Sequence, residues 1–166
     1  EKEIVEFSGI MPNPTYAKVQ EGAALVRERK VNFILAVGGG SVIDCSKVIA
    51  AQAVTEKDIW NMEFMEHKYP TEFVPMGAVV TASGTGAEMN SGAVITNEET
   101  KQKAGVLGAY AAFAVLDPAY TMTLSEKQVI SGAFDTLSHC METYFGSPRE
   151  TTLSDEIGEA VMRNVI

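Results

Sequence analysis

The stretch VNFILAVGGGSVIDCSKVIAAQAV, residues 31–54, decides the fold of this chain. Its first seven residues are largely apolar, which is typical of a strand that a parallel sheet buries on both faces. Gly38, Gly39 and Gly40 end that run, and residues 41–54 follow with helical character. A buried strand, a glycine turn and a helix in this order predict a unit of a parallel α/β sheet with right-handed crossovers.

Elements on both sides of this unit continue the α/β pattern. Apolar runs predict further strands at residues 73–80, 92–96 and 112–116. Ahead of the unit we expect a short strand at residues 4–7 and a helix that Asn13 caps. Pro14 would lie in the first turn of that helix, where the N–H that proline lacks has no helical partner.

The last quarter of the chain has a helical pattern. Ser125 and Gln128 match a capping box at its start. The helix that follows carries an apolar stripe made of Ile130, Phe134, Leu137, Met141 and Tyr144. We therefore predict a Rossmann-like α/β domain over residues 1–120 and the start of an all-helical domain over residues 121–166.

Composition narrows the functional classes. The net charge is −9, and no run of Lys or Arg interrupts this acidity, so we expect no nucleic-acid partner. The apolar stretches are too short to span a bilayer, and the N-terminus lacks the pattern of a signal peptide. Cys45 and Cys140 lie in apolar helical patterns and do not suggest a disulfide. We expect a soluble cytoplasmic protein with no membrane partner.

The two ends suggest that this sequence is a piece of a longer polypeptide. It begins at Glu1 rather than at a methionine, and it ends at Ile166 inside a helical pattern. No Gly or Pro stop signal follows that last helix.

The turn from Gly38 to Ser41 is suited to a phosphate. Glycines allow a pyrophosphate to approach the backbone, and the start of the next helix offers free N–H groups and a positive dipole end. The turn matches neither the GxGxxG fingerprint nor a Walker loop, so a tight turn without a ligand is the alternative. Asp44 could cap the helix or bind a hydroxyl group, or it could be a first-turn acid that matches the helix dipole.

A second loop of small residues follows the strand at residues 73–80. Thr81, Ser83 and Thr85 place hydroxyl groups there, at the edge of the sheet where open α/β folds bind ligands. Two such strand ends suit one extended, phosphate-bearing ligand. Alternatively, these hydroxyls bond to the backbone of their own loop. Lys103 lies in a short charged run that is more typical of solvated surface.

Asp135 and His139 are four residues apart in the predicted helix. That spacing puts a carboxylate and an imidazole on one helix face, nearly opposite the apolar stripe, where both could bind one metal ion. The alternative is a weak ion pair on a wet surface. A catalytic divalent ion usually takes at least three protein ligands, so the pair would be an incomplete site.

Five stretches together resemble the iron-containing, group III alcohol dehydrogenases, and their butanol-dehydrogenase-like branch in particular. In chain order they span residues 12–15, 38–47, 81–90, 116–118 and 132–139, and include GGGSVIDCSK, TASGTGAEMN and GAFDTLSH. The resemblance implies a dehydroquinate synthase-like architecture, truncated here, in which an α/β domain binds NAD or NADP and a helical domain holds a metal.

The resemblance also implies roles for particular residues. Asp135 and His139 correspond to the first two ligands of a divalent metal, iron in many relatives and zinc in others, whose further ligands are two downstream histidines. The positions that correspond to nucleotide contacts are Asn13, Gly39, Gly40, Ser41, Asp44, Thr81, Ser83, Thr85 and Lys103.

The activity implied is hydride transfer between NAD(P) and a primary alcohol or aldehyde, with the metal as Lewis acid, in a protein expected to form a homodimer. Two alternatives stay open. One is a sugar-phosphate enzyme similar to dehydroquinate synthase, which would need cationic residues near Asp135. The other is a nucleotide-binding module without catalytic activity.

Overall fold

The computed structural model describes residues 3–146 and 152–166. Its helices are α1 (Tyr16–Glu28), α2 (Gly40–Gln52), α3 (Ile59–Phe64), α4 (Glu126–Tyr144) and α5 (Leu153–Val165), with short 3₁₀ turns at Ala87–Met89 and Pro118–Thr121. Its strands are β1 (Ile34–Gly38), β2 (Met76–Val80), β3 (Gly92–Asn97), β4 (Gln102–Leu107) and β5 (Ala111–Val115).

Three strands form the predicted parallel sheet, in the order β1-β2-β5. Ile34 pairs with Met76, and Met76 pairs with Ala111 on its other side. The central strand β2 is almost entirely buried, as its apolar sequence predicts. An α/β fold with a parallel sheet, followed by helices, is therefore confirmed.

The other two strands form a separate antiparallel hairpin. β3 pairs with β4, with Gly92 opposite Leu107. The Asn97 side chain accepts hydrogen bonds from the backbone N–H groups of Glu99 and Thr100, which shapes the turn between the strands. The sequence predicted a strand at 92–96 but missed β4, because this strand is largely polar at its start.

Helix α2 lies between the sheet and the hairpin. It contacts β1 and β2 on one side and β3 on the other, and α1 packs beside it. Almost all of its length from Ile43 to Gln52 is therefore buried, and it contributes to both apolar clusters of the core. The glycine turn at its start is thus held on a rigid, well-packed element.

The first segment of the chain differs from the sequence prediction. Residues 4–7 form no strand; instead, Phe7 packs against the buried cluster that includes α1. Thr15, rather than Asn13, caps α1, because its Oγ1 accepts from the backbone N–H of Lys18 at 3.2 Å. Asn13 has a left-handed φ of 57°, which an N-cap residue does not adopt. Pro14 consequently precedes the cap.

One face of β1 is open, contrary to the prediction of burial on both faces. Leu35 and Val37 are 50% and 57% exposed, whereas Ala36 is buried against the helices. The strand also begins three residues later than predicted, since Lys30 and Val31 belong to the turn that ends α1. Phe33 stacks on Phe113 of β5 across the open face of the sheet.

The helical segment begins where it was expected. Ser125 caps α4 and accepts from the backbone N–H of Gln128. α4 packs on α5, and the Tyr144 hydroxyl donates to Glu159 at 3.1 Å. The predicted apolar stripe is not buried within the described chain, since Phe134 is 69% exposed. The division into domains at residue 120 stays a prediction.

Two further expectations concern membranes and disulfides. In residues 3–146 and 152–166, no helix combines the length and the apolar character needed to cross a bilayer. Cys45 is buried in α2, Cys140 is partly buried in α4, and both are free thiols, as the sequence suggested.

Candidate functional site

The glycine turn leaves the start of α2 open. β1 ends at Gly38 and α2 begins at Gly40, with Gly39 in extended conformation at the cap position. Side chains cap the starts of α1, α3 and α4, but within the described chain none caps α2. The N–H groups of its first turn and its dipole are therefore available to an anion.

The second loop lies directly against this turn. The backbone N–H of Thr81 donates to the carbonyl of Gly38 at 3.0 Å. A Cβ added to Gly40 would lie 2.6 Å from Thr85 Oγ1, and one added to Gly39 would lie 3.2 Å from Ala82. β1 and β2 are adjacent parallel strands, so their carboxyl ends meet at one edge, as the sequence predicted.

The hydroxyls of the second loop are partly engaged within the loop. Thr85 Oγ1 accepts from the backbone N–H of Ala87 at 3.2 Å, at the start of a 3₁₀ turn. This is the alternative that the sequence left open for such hydroxyls. Both of its glycines have positive φ, 150° at Gly84 and 62° at Gly86, so the loop follows a path that few other residues could adopt.

Asp44 ties α2 to the hairpin. Its Oδ2 accepts from the backbone N–H of Val94 at 2.9 Å, and its Oδ1 lies 3.6 Å from Lys47 Nζ. Burial raises the pKa of this carboxyl, while the Val94 N–H and the Lys47 ammonium oppose that rise. The interpretation of Asp44 as a first-turn acid is wrong, because α2 begins at Gly40 and Asp44 lies beyond its first turn.

Lys47 is a structural centre that the sequence analysis missed. Its fully buried side chain donates to the carbonyl of Gly92 at 2.7 Å and to Asn90 Oδ1 at 3.0 Å. Burial lowers the pKa of its ammonium, and the Asp44 carboxylate opposes this. A lysine in a helix that carries Val42, Ile43, Val48 and Ile49 was the available signal, since buried charges need partners.

Asn13 and Lys103, which are 90 positions apart, meet at the surface. Lys103 Nζ donates to Asn13 Oδ1 at 2.7 Å. A bridge between Thr15 and Thr96 brings the start of α1 to the hairpin. Lys103 is thus part of a specific contact on β4, rather than of a freely solvated run.

Asp135 and His139 lie side by side on α4. Asp135 Oδ1 is 3.8 Å from His139 Nε2, and their side chains are 43% and 57% exposed. Two metal bonds of about 2.1 Å can span that separation, and the donor types suit iron or zinc. The described residues contain no group of three or more potential ligands, so the pair fits a divalent ion as part of a larger ligand set.

Helix α4 crosses the second loop at two glycines that sequence reasoning missed. A Cβ on Gly132 would lie 2.3 Å from the carbonyl oxygen of Ser83. A Cβ on Gly84 would lie 3.2 Å from both Gly132 Cα and Asp135 Oδ2. Asp135 therefore faces the loop that follows β2. Glycine at both positions was the signal, although nothing in the sequence pairs them.

Comparison with known proteins gives consistent results. The profile of the iron-containing alcohol dehydrogenases matches residues 1–118. The chain is 43% identical to the probable NADH-dependent butanol dehydrogenase 1 of Bacillus subtilis (strain 168), over 97% of this chain and 42% of that protein. It is 41% identical to the NADPH-dependent aldehyde reductase YqhD of Escherichia coli (strain K12), over 99% of this chain and 43% of that protein.

A solved structure supports the same assignment. The NADH-dependent butanol dehydrogenase A of Thermotoga maritima superimposes with a TM-score of 0.90 at 42% identity, over 97% of this chain and 40% of that one. The chain thus spans about two fifths of the length of these relatives. It belongs to the iron-containing alcohol dehydrogenase family.

Proposed function

We propose that this chain forms the nucleotide-binding half and part of the metal site of an alcohol dehydrogenase or aldehyde reductase. The enzyme transfers hydride between NAD or NADP and a primary alcohol or aldehyde, with iron or zinc as its divalent ion. The observation that carries the proposal is the contact between the loop after β2 and the helix that bears Asp135.

The edge where β1 and β2 end supports a pyrophosphate site. Gly39 and Gly40 leave room for the phosphates, Ser41 adds a hydroxyl, and the uncapped start of α2 supplies N–H donors. Thr81, Ser83 and Thr85 extend the polar surface along the second loop. Two relatives, at 43% and 41% identity, are named as NADH- and NADPH-dependent, which supports a nicotinamide nucleotide as the ligand.

The remaining predicted nucleotide contacts are Asp44, Lys103 and Asn13. In this proposal they support the site or lie at its edge. Asp44 holds β3 against α2, and so it orients the hairpin relative to the glycine turn. Lys103, whose ammonium donates to Asn13, is proposed to lie at the edge of the nucleotide site. There its charge would suit the ribose or its phosphate. Asn13 consequently acts by positioning Lys103.

Asp135 and His139 provide two ligands for the divalent ion. When bound, that ion supplies Lewis acidity to the alcohol or carbonyl oxygen, and the nicotinamide supplies or accepts hydride. Asp135 would hold the ion beside the nucleotide loop, because its carboxylate lies against Gly84. His139, one helical turn further on, directs its Nε2 to the same side as Asp135 Oδ1.

The charge of α4 and its contact with the loop argue against the two alternatives. A sugar-phosphate enzyme would need cations near Asp135, but α4 carries one cation, Lys127, eight residues earlier. A module without catalytic activity would leave Asp135 and His139 on a solvated face unrelated to the nucleotide loops.

We also include a homodimer in the cytoplasm in this proposal, which sedimentation and cell fractionation of the complete polypeptide would test.

The test uses the complete polypeptide that carries this sequence, loaded with Fe²⁺ or Zn²⁺. Oxidation of 1-butanol should produce NADH or NADPH, and Asp135→Ala should abolish both this reaction and stoichiometric metal binding. Glu126→Gln, an exposed change in the first turn of the same helix, serves as the control. Full metal binding and turnover by Asp135→Ala would refute the proposal.

A further inference from the structure

The crossing of α4 over the loop after β2 is made by backbone on both sides. A Cβ placed on Gly132 would lie 2.3 Å from the carbonyl oxygen of Ser83 and 3.3 Å from its carbonyl carbon. These atoms are main chain, so no change of side-chain rotamer could relieve the overlap. Even an alanine at residue 132 would force the helix or the loop to move.

Glycine is an unusual choice at this position of a helix. It lies well inside α4, where glycine weakens a helix relative to alanine. Gly158, inside α5, has no described atom within 4 Å of its built Cβ, so it makes no comparable contact. The close approach of α4 to the loop therefore explains why residue 132 is a glycine, which its position in a helix alone does not explain.

Asp135 is placed by this crossing. It follows Gly132 by three residues and so lies on the same helix face. Its Oδ2 is 3.2 Å from the built Cβ of Gly84, a residue with φ of 150°. The Thr136 hydroxyl donates to the carbonyl of Gly132 at 2.9 Å, on the turn that carries Asp135. A shift of α4 would thus move a metal ligand relative to the nucleotide loop.

We propose that Gly132 and Gly84 are positioning residues that couple metal binding at Asp135 to nucleotide binding at the loop of residues 81–86. The inference rests on the proposed function and adds the contact through which the metal site and the nucleotide site affect each other. A metal ion that fixes Asp135 also fixes α4 against Ser83 and Gly84. A nucleotide bound at the loop would restrain the same contact from the other side, so each ligand should tighten the binding of the other.

The test measures nucleotide affinity rather than turnover. NADH and NADPH are titrated by their fluorescence against the complete polypeptide, with and without Zn²⁺. In the wild type, Zn²⁺ should lower the dissociation constant within the usual range for coupled sites, about 5-fold to 150-fold. In Gly132→Ala the ratio should fall to about 1, because the helix no longer rests on the loop. Gly158→Ala should keep the wild-type ratio.

Separate outcomes distinguish the coupling from the function. Failure of the wild type to bind either nucleotide would refute the proposed function itself. Binding with no effect of Zn²⁺ in the wild type, or an unchanged ratio in Gly132→Ala, would refute the coupling alone. If Gly132→Ala loses wild-type circular dichroism, Gly84→Ala tests the same contact from the loop side, and retention of full coupling there would also overturn the proposal.

Discussion

The buried ammonium of Lys47 donates to the carbonyl of Gly92, 45 residues along the chain, at 2.7 Å. This bond joins the helix that starts at the glycine turn to the first strand of the hairpin. Asn90 Oδ1 and Asp44 Oδ1 lie 3.0 Å and 3.6 Å from the same nitrogen. One side chain therefore fixes α2, which begins at the glycine turn, against the segment that leads from the second loop into the hairpin.

Replacement of this lysine should destabilise the fold. Lys47→Met removes the donor and leaves the Asp44 carboxylate and the Gly92 carbonyl without their cation. Because the site is buried, we expect the free energy of unfolding to fall by about 3 kcal/mol or more, as urea denaturation would measure. Lys57→Met, at an exposed position, should change it by less than about 0.5 kcal/mol. Equal small losses in both variants would contradict the proposed anchor.

A substitution in the glycine turn should weaken nucleotide binding. Gly40→Ala places a Cβ 2.6 Å from Thr85 Oγ1 and pushes the two loops apart where the phosphates should bind. We expect the dissociation constant for NADH or NADPH to rise about tenfold, equal to about 1.4 kcal/mol. Gly105→Ala is the matched control, since no described atom lies within 4 Å of its built Cβ. Unchanged affinity in Gly40→Ala would place the nucleotide elsewhere.

Glu63 should make stability depend on pH. Both of its carboxylate oxygens are within hydrogen-bond distance of the Leu107 backbone N–H, at 3.1 Å and 3.0 Å. Burial raises its pKa above the ordinary value of 4.5, although the Leu107 N–H opposes this rise. The folded protein then binds the Glu63 proton more tightly than the unfolded chain does. This contribution to stability is lost as pH rises from about 4.5 through the folded pKa.

A comparison with Glu63→Gln isolates that contribution. The glutamine keeps an acceptor for the Leu107 N–H but does not titrate. The unfolding free energy of the wild type should therefore decrease relative to Glu63→Gln as pH increases from 4 to 7. A difference that is constant with pH, or that changes in the opposite direction, would refute the raised pKa.

The isolated chain should lack the proposed turnover. Its described residues bring two proposed metal ligands together at Asp135 and His139, which is fewer than a catalytic divalent ion usually takes. We expect the 166-residue chain with Fe²⁺ or Zn²⁺ to give no metal-dependent oxidation of 1-butanol. Robust formation of NADH by this chain alone would show that the ligand set has been assigned wrongly.

Features that depend on local pattern were predictable from the sequence. The glycine turn, the helix after it and the cap at Ser125 all follow from residues that are close in the chain. The meeting of Gly40 with Thr85 was also predictable, because neighbouring parallel strands end at one edge of a sheet.

The missed features depend on long-range contacts or weak patterns. β4 contains Gln102, Lys103 and Gly105, so it shows little of the apolar alternation that identifies a strand. The role of Asp44 was predicted from its distance to the start of the helix. In the structure its carboxylate is instead held by the backbone N–H of Val94, which is 50 residues away. Likewise, no local rule pairs Gly132 with Ser83. These contacts require the complete fold before they become visible.

We propose that a metal ion held by Asp135 lies beside the nicotinamide of a nucleotide bound at the loops after β1 and β2. The most direct test places Mn²⁺ in the complete polypeptide and measures its paramagnetic broadening of the nicotinamide proton signals of bound NAD(P). We predict strong broadening of these signals that Asp135→Ala removes. Sharp nicotinamide signals in the Mn²⁺-loaded wild type, with the nucleotide bound, would contradict the claim.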